Sequence, residues 1–123
     1  MKVWIDCEFN SYLGELISMA LVSDDGRDFY RAVERSELDH EWVAANVIPV
    51  LHTYPVPLAQ FHSELERYLM QFDDVHIIAD WPEDIAHLMR ALITGPGMRL
   101  NTPPLTMEVV RIDAPSLLPH NAL

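Results

Sequence analysis

Cysteine is almost missing from this chain, because Cys7 is the only one among 123 residues. A single cysteine excludes an intrachain disulfide, and this is typical of proteins from a reducing cytoplasm. Long apolar runs are missing as well, and no uninterrupted stretch could cross a bilayer. Asp6 interrupts the N-terminus before an apolar signal region forms, so we expect no secretory leader. These absences predict a cytoplasmic protein with no membrane partner.

Basic residues are scarce: Lys and Arg number 8 against 19 Asp and Glu, for a formal net charge of −11. Proteins that bind nucleic acid non-specifically are expected to be basic, because phosphate neutralisation drives their affinity. The composition therefore argues against nucleic-acid binding by charge alone. It leaves open a site where bound metal ions meet the phosphate, since carboxylates gathered around cations make the metal-free protein acidic.

Half of the residues are apolar, which is enough for the core of a single domain spanning 1–123. Hydrophobic periodicity predicts strands at 2–8, 16–23, 28–33, 75–79 and 105–112. Capping and proline signals predict three helices: one from Ser36 to near Pro49, one with Pro57 as its first residue, and one from Pro82 to a Gly95-Pro96-Gly97 terminator. Residues 98–104 are predicted to form a proline-rich loop.

The order of these elements predicts the fold class. Three consecutive strands, followed by strands that alternate with helices, indicate an α/β fold with a mixed sheet flanked by helices. We predict a five-stranded sheet in the order 3-2-1-4-5. The second strand should run antiparallel to the first and third, and the first strand should be central.

Two carboxylates share one face of the first strand. Asp6 and Glu8 lie two positions apart, so both side chains point to the same side. They repel each other unless a cation lies between them. One interpretation is a solvated sheet face; the other is a metal site. The central position of the strand favours the metal site, because a charged pair there is costly without a partner.

A third carboxylate, Asp84, is predicted in the first turn of the third helix, directly after the strand at 75–79. This position lies at the carboxyl edge of the sheet, where sites of α/β proteins form. Helix capping explains an acidic residue there equally well. Asp80 and Glu83 are alternatives for the same role, and Asp80 is also a candidate cap.

Histidine is the remaining chemical candidate. His120 stands in the segment Pro119-His120-Asn121-Ala122-Leu123, where a solvated side chain and a general base are both open interpretations. We interpret the other histidines as solvated side chains: His40, His52, His62, His76 and His87.

Together these segments resemble the DEDDh 3′–5′ exonucleases, a group that includes ribonuclease T and oligoribonuclease. Those proteins carry Asp-x-Glu on the first strand, an Asp after the fourth, and His-x-Ala-x-x-Asp near the end. The chain is most similar to the small ribonuclease AS group through four segments: Asp6-Cys7-Glu8-Phe9, Glu15-Leu16-Ile17-Ser18-Met19, Trp42-Val43 with Val47-Ile48-Pro49, and His120-Asn121-Ala122-Leu123.

The resemblance implies a ribonuclease H-like fold and hydrolysis of phosphodiester bonds from the 3′ end of single-stranded RNA. Two divalent ions, Mg²⁺ or Mn²⁺, would be held by three carboxylates and would assist an in-line displacement. The implied roles are metal ligands for Asp6, Glu8 and Asp84, general base for His120, and substrate contact for Phe9 and Asn10. Core packing is an equal alternative for Phe9. Members of the group often form homodimers.

One departure from the family pattern concerns its last Asp. The pattern places that metal ligand three residues beyond Ala122, whereas the sequence given ends at Leu123. We therefore expect one ligand and a final helix to be missing from this sequence. Two other functions stay open: a single-stranded DNA 3′–5′ exonuclease that uses the same residues, and a non-catalytic nucleic-acid-binding relative.

Overall fold

The computed structural model of the chain describes residues 1–35, 44, 47–48 and 53–110. Its strands are β1 Lys2–Phe9, β2 Leu16–Ser23, β3 Asp28–Val33, β4 Pro55–Val56, β5 Val75–Ala79, β6 Ile93–Gly95, β7 Met98–Arg99 and β8 Leu105–Val109. Its helices are α1 Leu58–Met70 and α2 Pro82–Ala91. Most of the helix predicted from Ser36 to Pro49, and the segment that contains His120, lie outside the described residues.

The main sheet has the strand order β4-β3-β2-β1-β5-β8. β2 runs antiparallel to β1 and β3, while β5 runs parallel to β1 and β8. The predicted α/β class, the mixed sheet and the central first strand are confirmed. The predicted total of five strands is wrong, because the two-residue strand β4 pairs in parallel with the end of β3. So short a strand leaves no periodicity in the sequence.

The larger hydrophobic cluster lies on one face of this sheet, and a smaller cluster of Ile17, Val47 and Ile48 is separate from it. In β1, Val3, Ile5, Cys7 and Phe9 are buried and alternate with more exposed residues, as period-two geometry requires. Both helices bury their apolar stripes against this face, and the hydrophobic cluster includes these helical residues: Phe61, Leu65, Leu69, Leu88 and Ala91. The side chains of Asp6 and Glu8 therefore point to the opposite face.

Proline sets the start of each helix. Pro57 has φ −58° and ψ 149° and occupies the cap position before α1, so it stands one residue ahead of its predicted place. Pro82 is the first residue of α2, where its missing N–H leaves no intrahelical bond unmade. Within the described ranges, neither helix is long and apolar enough to cross a membrane.

The third helix ends earlier than predicted. α2 stops at Ala91, and Gly95 instead ends β6, with Pro96-Gly97 forming the turn to β7. Gly97 has φ +67° there, a conformation that glycine adopts without strain. The N–H of Leu100 donates to the carbonyl of Leu92 at 2.8 Å, and Leu100 joins the core. Burial of Leu100 requires the chain to turn back before a longer helix could form.

Candidate functional site

The carboxyl end of β1 lies beside the first turn of α2. β5 pairs with β1 only as far as Trp4, whereas β2 pairs with it as far as Phe9. In the described part of the chain, the end of β1 therefore has a strand on one side only. The Oδ1 atom of Asp84 accepts a hydrogen bond from the backbone N–H of Cys7 at 3.3 Å. The Asp84 side chain thus accepts the backbone hydrogen bond that a neighbouring strand would otherwise accept.

Asp84 is fully buried, with 0% of its surface exposed. The Cys7 thiol lies 4.0 Å from the Asp84 carbonyl and donates weakly to it. Buried carboxylates require hydrogen bonds or an opposite charge, because the charged form is otherwise expelled from the interior. Asp80 and Glu83, the two alternatives to Asp84 as the third carboxylate, lie in different surroundings. Asp80 is exposed, and Glu83 faces the loop after β1. Trp81, not Asp80, holds the cap position of α2.

Asp6 is exposed and Glu8 is half-buried on the sheet face opposite the helices. Their partners across the β1–β2 ladder are Ala20 and Ser18, neither of which carries a charge. The predicted arrangement of two carboxylates on one face of a central strand is therefore present. Charge repulsion between them favours a cation nearby.

All three carboxylates act on the thiol of Cys7. Burial raises the pKa of Cys7 well above its usual range, and the negative charges of Asp84, Asp6 and Glu8 raise it further. Asp6 and Glu8 adjoin Cys7 in the chain, with their side chains on the sheet face opposite the helices, whereas Asp84 reaches the Cys7 backbone N–H from α2. The thiol is consequently protonated near neutral pH and unsuited to be a nucleophile.

A complete metal cage does not occur among the described residues, which contain no group of three or more His, Cys, Asp or Glu placed to hold one metal ion. His120 falls outside the described ranges. The donors present are carboxylate oxygens, the ligands that Mg²⁺ and Mn²⁺ prefer. Their donor chemistry fits such an ion.

The two residues predicted to contact substrate are turned inward. Phe9 is 2% exposed, and its ring centroid lies 4.5 Å from that of His87. Asn10 is 9% exposed, and its backbone N–H donates to the carbonyl of Glu15. Phe9 thus packs in the core, the alternative that its sequence position left open. Its ring is not available for stacking on a base.

The loop that follows was not singled out from the sequence. Tyr12 and Leu13 are 72% and 69% exposed, whereas Ser11 and Leu13 have positive φ values of 64° and 58°. Such conformations cost about 1–3 kcal/mol each in residues other than glycine. Gly14 is required in this loop, because a Cβ atom there would lie 1.6 Å from the carbonyl oxygen of Asn10. An apolar residue exposed on a strained loop beside acidic groups is a signal that sequence periodicity does not carry.

The burial of His87 was also not predicted from the sequence. It is 3% exposed, and burial lowers its pKa to about 4, helped by the positive charge of Arg90. Its Nδ1 atom lies 3.3 Å from a guanidinium nitrogen of Arg90, which can only donate, so Nε2 carries the proton. Nε2 has no hydrogen-bond partner in the described structure. Position 87 lies on the buried stripe of α2, so helical periodicity could have identified it.

His87 and Arg90 also line an open cleft of about 320 Å³ between α1 and α2. Gly14 and Glu15 form the wall nearest the β1–β2 loop. Burial lowers the pKa of His62, which lines the same cleft. Both histidines are therefore neutral near pH 7, which leaves Arg90 as the positively charged side chain among the described lining residues.

Comparisons with known proteins give no family. No protein-family model matches the chain, and a search of curated proteins finds no match either.

Proposed function

We propose that this chain is a metal-dependent exonuclease that removes nucleotides from the 3′ end of single-stranded RNA. The observation that carries the proposal is the hydrogen bond from the backbone N–H of Cys7 to Asp84, which sets a third carboxylate beside the strand segment that carries Asp6 and Glu8. Carboxylates near one another repel, and a divalent cation between them would relieve that repulsion. The acidic net charge of −11 is consistent with binding phosphate through such ions.

A ribonuclease H-like fold is part of the same proposal. An antiparallel meander from β1 to β3, followed by the parallel strands β5 and β8 on the other side of β1, agrees with the topology that the resemblance implies. It also brings the end of β1 and the start of α2 to one edge of the sheet. The carboxyl edge of an α/β sheet is where functional sites form.

Each side chain has a proposed role. Asp6 and Glu8 would hold divalent ions from the sheet face opposite the helices, and Asp84 would contribute a ligand from the start of α2. Bound Mg²⁺ would supply charge stabilisation for the phosphate and a more acidic water. His120 accepts the proton of the attacking water on an imidazole nitrogen. As the water oxygen bonds to phosphorus, the bond to the 3′ oxygen of the preceding nucleotide breaks and the terminal nucleotide leaves.

Tyr12 replaces Phe9 as the proposed contact with the terminal base. Its ring is exposed, and its loop begins directly after the β1 strand that carries both carboxylates. Aromatic side chains stack on bases of single-stranded nucleic acid with little dependence on sequence. This contact positions the 3′ end without requiring a basic surface.

The test is incubation of the full-length protein with 5′-labelled single-stranded RNA and DNA, with Mg²⁺, with Mn²⁺ and with EDTA. We expect products that shorten from the 3′ end, with RNA preferred and with no cleavage in EDTA. Faster cleavage of DNA would support the DNA exonuclease instead. Binding without cleavage would support the non-catalytic relative. Sedimentation of the same sample tests the homodimer that the resemblance implies.

The matched control for this test is an exposed carboxylate near the amino end of β1, away from the carboxyl end that carries Asp6 and Glu8. Asp73→Asn removes one negative charge from the turn after α1 and should leave the rate unchanged. Asp6→Asn removes the same charge from the proposed site and should abolish cleavage. Equal activity of the two variants would show that the acidic group around Cys7 is not the catalytic site.

A further inference from the structure

Glu83 connects two parts of the proposed site. Its Oε2 atom accepts a hydrogen bond from the backbone N–H of Leu13 at 3.3 Å, and its Oε1 atom accepts one from the indole N–H of Trp81 at 3.3 Å. Leu13 belongs to the strained loop after β1, while Glu83 precedes Asp84 in the first turn of α2. One carboxylate thus ties the exposed loop to the helix turn that carries a proposed metal ligand.

The conformation of this loop requires a stabilising contact from outside the loop. Ser11 and Leu13 both adopt left-handed conformations, which residues with side chains avoid unless the surroundings enforce them. Within the loop, the N–H of Ser11 donates to the Phe9 carbonyl at 2.9 Å and the N–H of Gly14 to the Ser11 carbonyl at 3.0 Å. The N–H of Leu13, midway along the turn, is held by Glu83.

The exposed side chains of the loop indicate why the contact with Glu83 matters. The side chains of Tyr12 and Leu13 are exposed to solvent. Hydrophobic burial therefore does not stabilise their positions in this structure. Backbone strain combined with exposed apolar side chains is typical of segments whose shape serves binding. A loop held in one conformation loses less entropy when it binds a ligand.

We propose that Glu83 is a positioning residue, which fixes the Ser11–Gly14 loop against α2 so that Tyr12 meets the terminal base of single-stranded RNA beside Asp84. The inference rests on the proposed function. Glu83 itself does not touch the RNA or the metal ions. Both of its oxygens are occupied by the donors of Leu13 and Trp81.

The experiment compares Glu83→Ala, Glu83→Gln, Tyr12→Ala and the double variant Glu83→Ala/Tyr12→Ala in the full-length protein. The matched control is Glu66→Ala, because Glu66 on α1 also accepts a backbone N–H, that of Asn101, at 2.7 Å. The readouts are KM and kcat for 5′-labelled single-stranded RNA with Mg²⁺, and the Kd of the same RNA with Ca²⁺ in place of Mg²⁺, measured by fluorescence anisotropy.

We expect Glu83→Ala to raise KM and Kd roughly tenfold, as for the loss of one hydrogen bond to a charged group, with kcat nearly unchanged. Glu83→Gln keeps one acceptor oxygen and should restore part of the affinity. Glu66→Ala should behave as wild type. If Glu83 acts through the loop, its removal should add little in the Tyr12→Ala background, which a double-mutant cycle measures.

Different outcomes overturn different statements. Wild-type affinity in both Glu83 variants, in a protein that degrades RNA, would overturn the positioning role and leave the proposed function intact. Fully additive effects of Glu83→Ala and Tyr12→Ala would also overturn it, because Glu83 would then act independently of the loop. A wild-type protein that neither binds nor degrades RNA would overturn the proposed function, and the inference with it.

Discussion

Acid should destabilise the folded protein through His87. Burial and, to a smaller extent, the positive charge of Arg90 lower the pKa of His87 to about 4, against the opposing effect of Glu83. A histidine in an unfolded chain titrates near pH 6.5. Between about pH 6.5 and pH 4 the unfolded chain therefore binds a proton that the folded chain does not, and stability falls as the pH falls. Above about pH 6.5 both states are neutral at this residue and its contribution is constant.

The expected loss follows from the difference between the two pKa values of His87. At about 1.36 kcal/mol for each pH unit, a difference of about 2.5 units amounts to roughly 3 kcal/mol, lost in full below about pH 4. About 2 kcal/mol of this should already be lost at pH 5. Because His87 is only 3% exposed, solvent screening reduces the value little. Small domains are stable by about 5–15 kcal/mol, so the change is readily measured.

The assay is urea denaturation between about pH 7.5 and pH 4.5, for the wild type and for His87→Leu. Carboxylates titrate in both proteins, so the difference between their free energies of unfolding isolates His87. Leucine also removes the Nε2 atom that has no partner in the described structure, and we expect the variant to be at least as stable as wild type at pH 7.5. Parallel pH curves for the two proteins would refute the reasoning.

Three further substitutions test the site and its loop. Asp6→Ala in the full-length protein should lose both metal binding, measured by calorimetry, and RNA degradation, because the carboxylate is a proposed ligand. His120→Ala should retain metal and lose roughly a hundred- to ten-thousand-fold in rate; loss of metal would make the histidine a ligand instead. Gly14→Ala should destabilise the fold by roughly 2–4 kcal/mol in urea, because its Cβ atom would overlap the Asn10 carbonyl. Gly95→Ala is the control, since its Cβ atom meets only Met98, at 3.6 Å.

The sequence predicts those features that depend on local periodicity. The alternation in β1 placed Cys7 inside and Asp6 outside, and the structure agrees. For Phe9 the sequence left core packing and substrate contact open, and the structure places it on the buried face with Cys7, packed against His87. Proline and capping signals located the starts of both described helices to within one residue.

The sequence does not predict features that depend on contacts between secondary-structure elements. The hydrogen bond from Cys7 to Asp84 forms because β5 stops pairing with β1 after Trp4. The point at which two strands stop pairing has no signature in the amino-acid composition. The Gly95-Pro96-Gly97 segment has the chemistry of a helix terminator and of a hairpin turn alike. Burial of Leu100 decided between them, which is a tertiary effect.

The amide of Cys7 is protected from solvent by a side chain and not by a strand. Its hydrogen exchange should therefore depend on the docking of α2 and on the charge of Asp84, whereas the amides of β1 nearer Lys2 exchange only when the sheet opens. A cation that draws the Asp84 carboxylate away would expose this amide while leaving the rest of β1 closed. The exchange rate of one backbone proton thus reports on the occupancy of the acidic site, independently of any substrate.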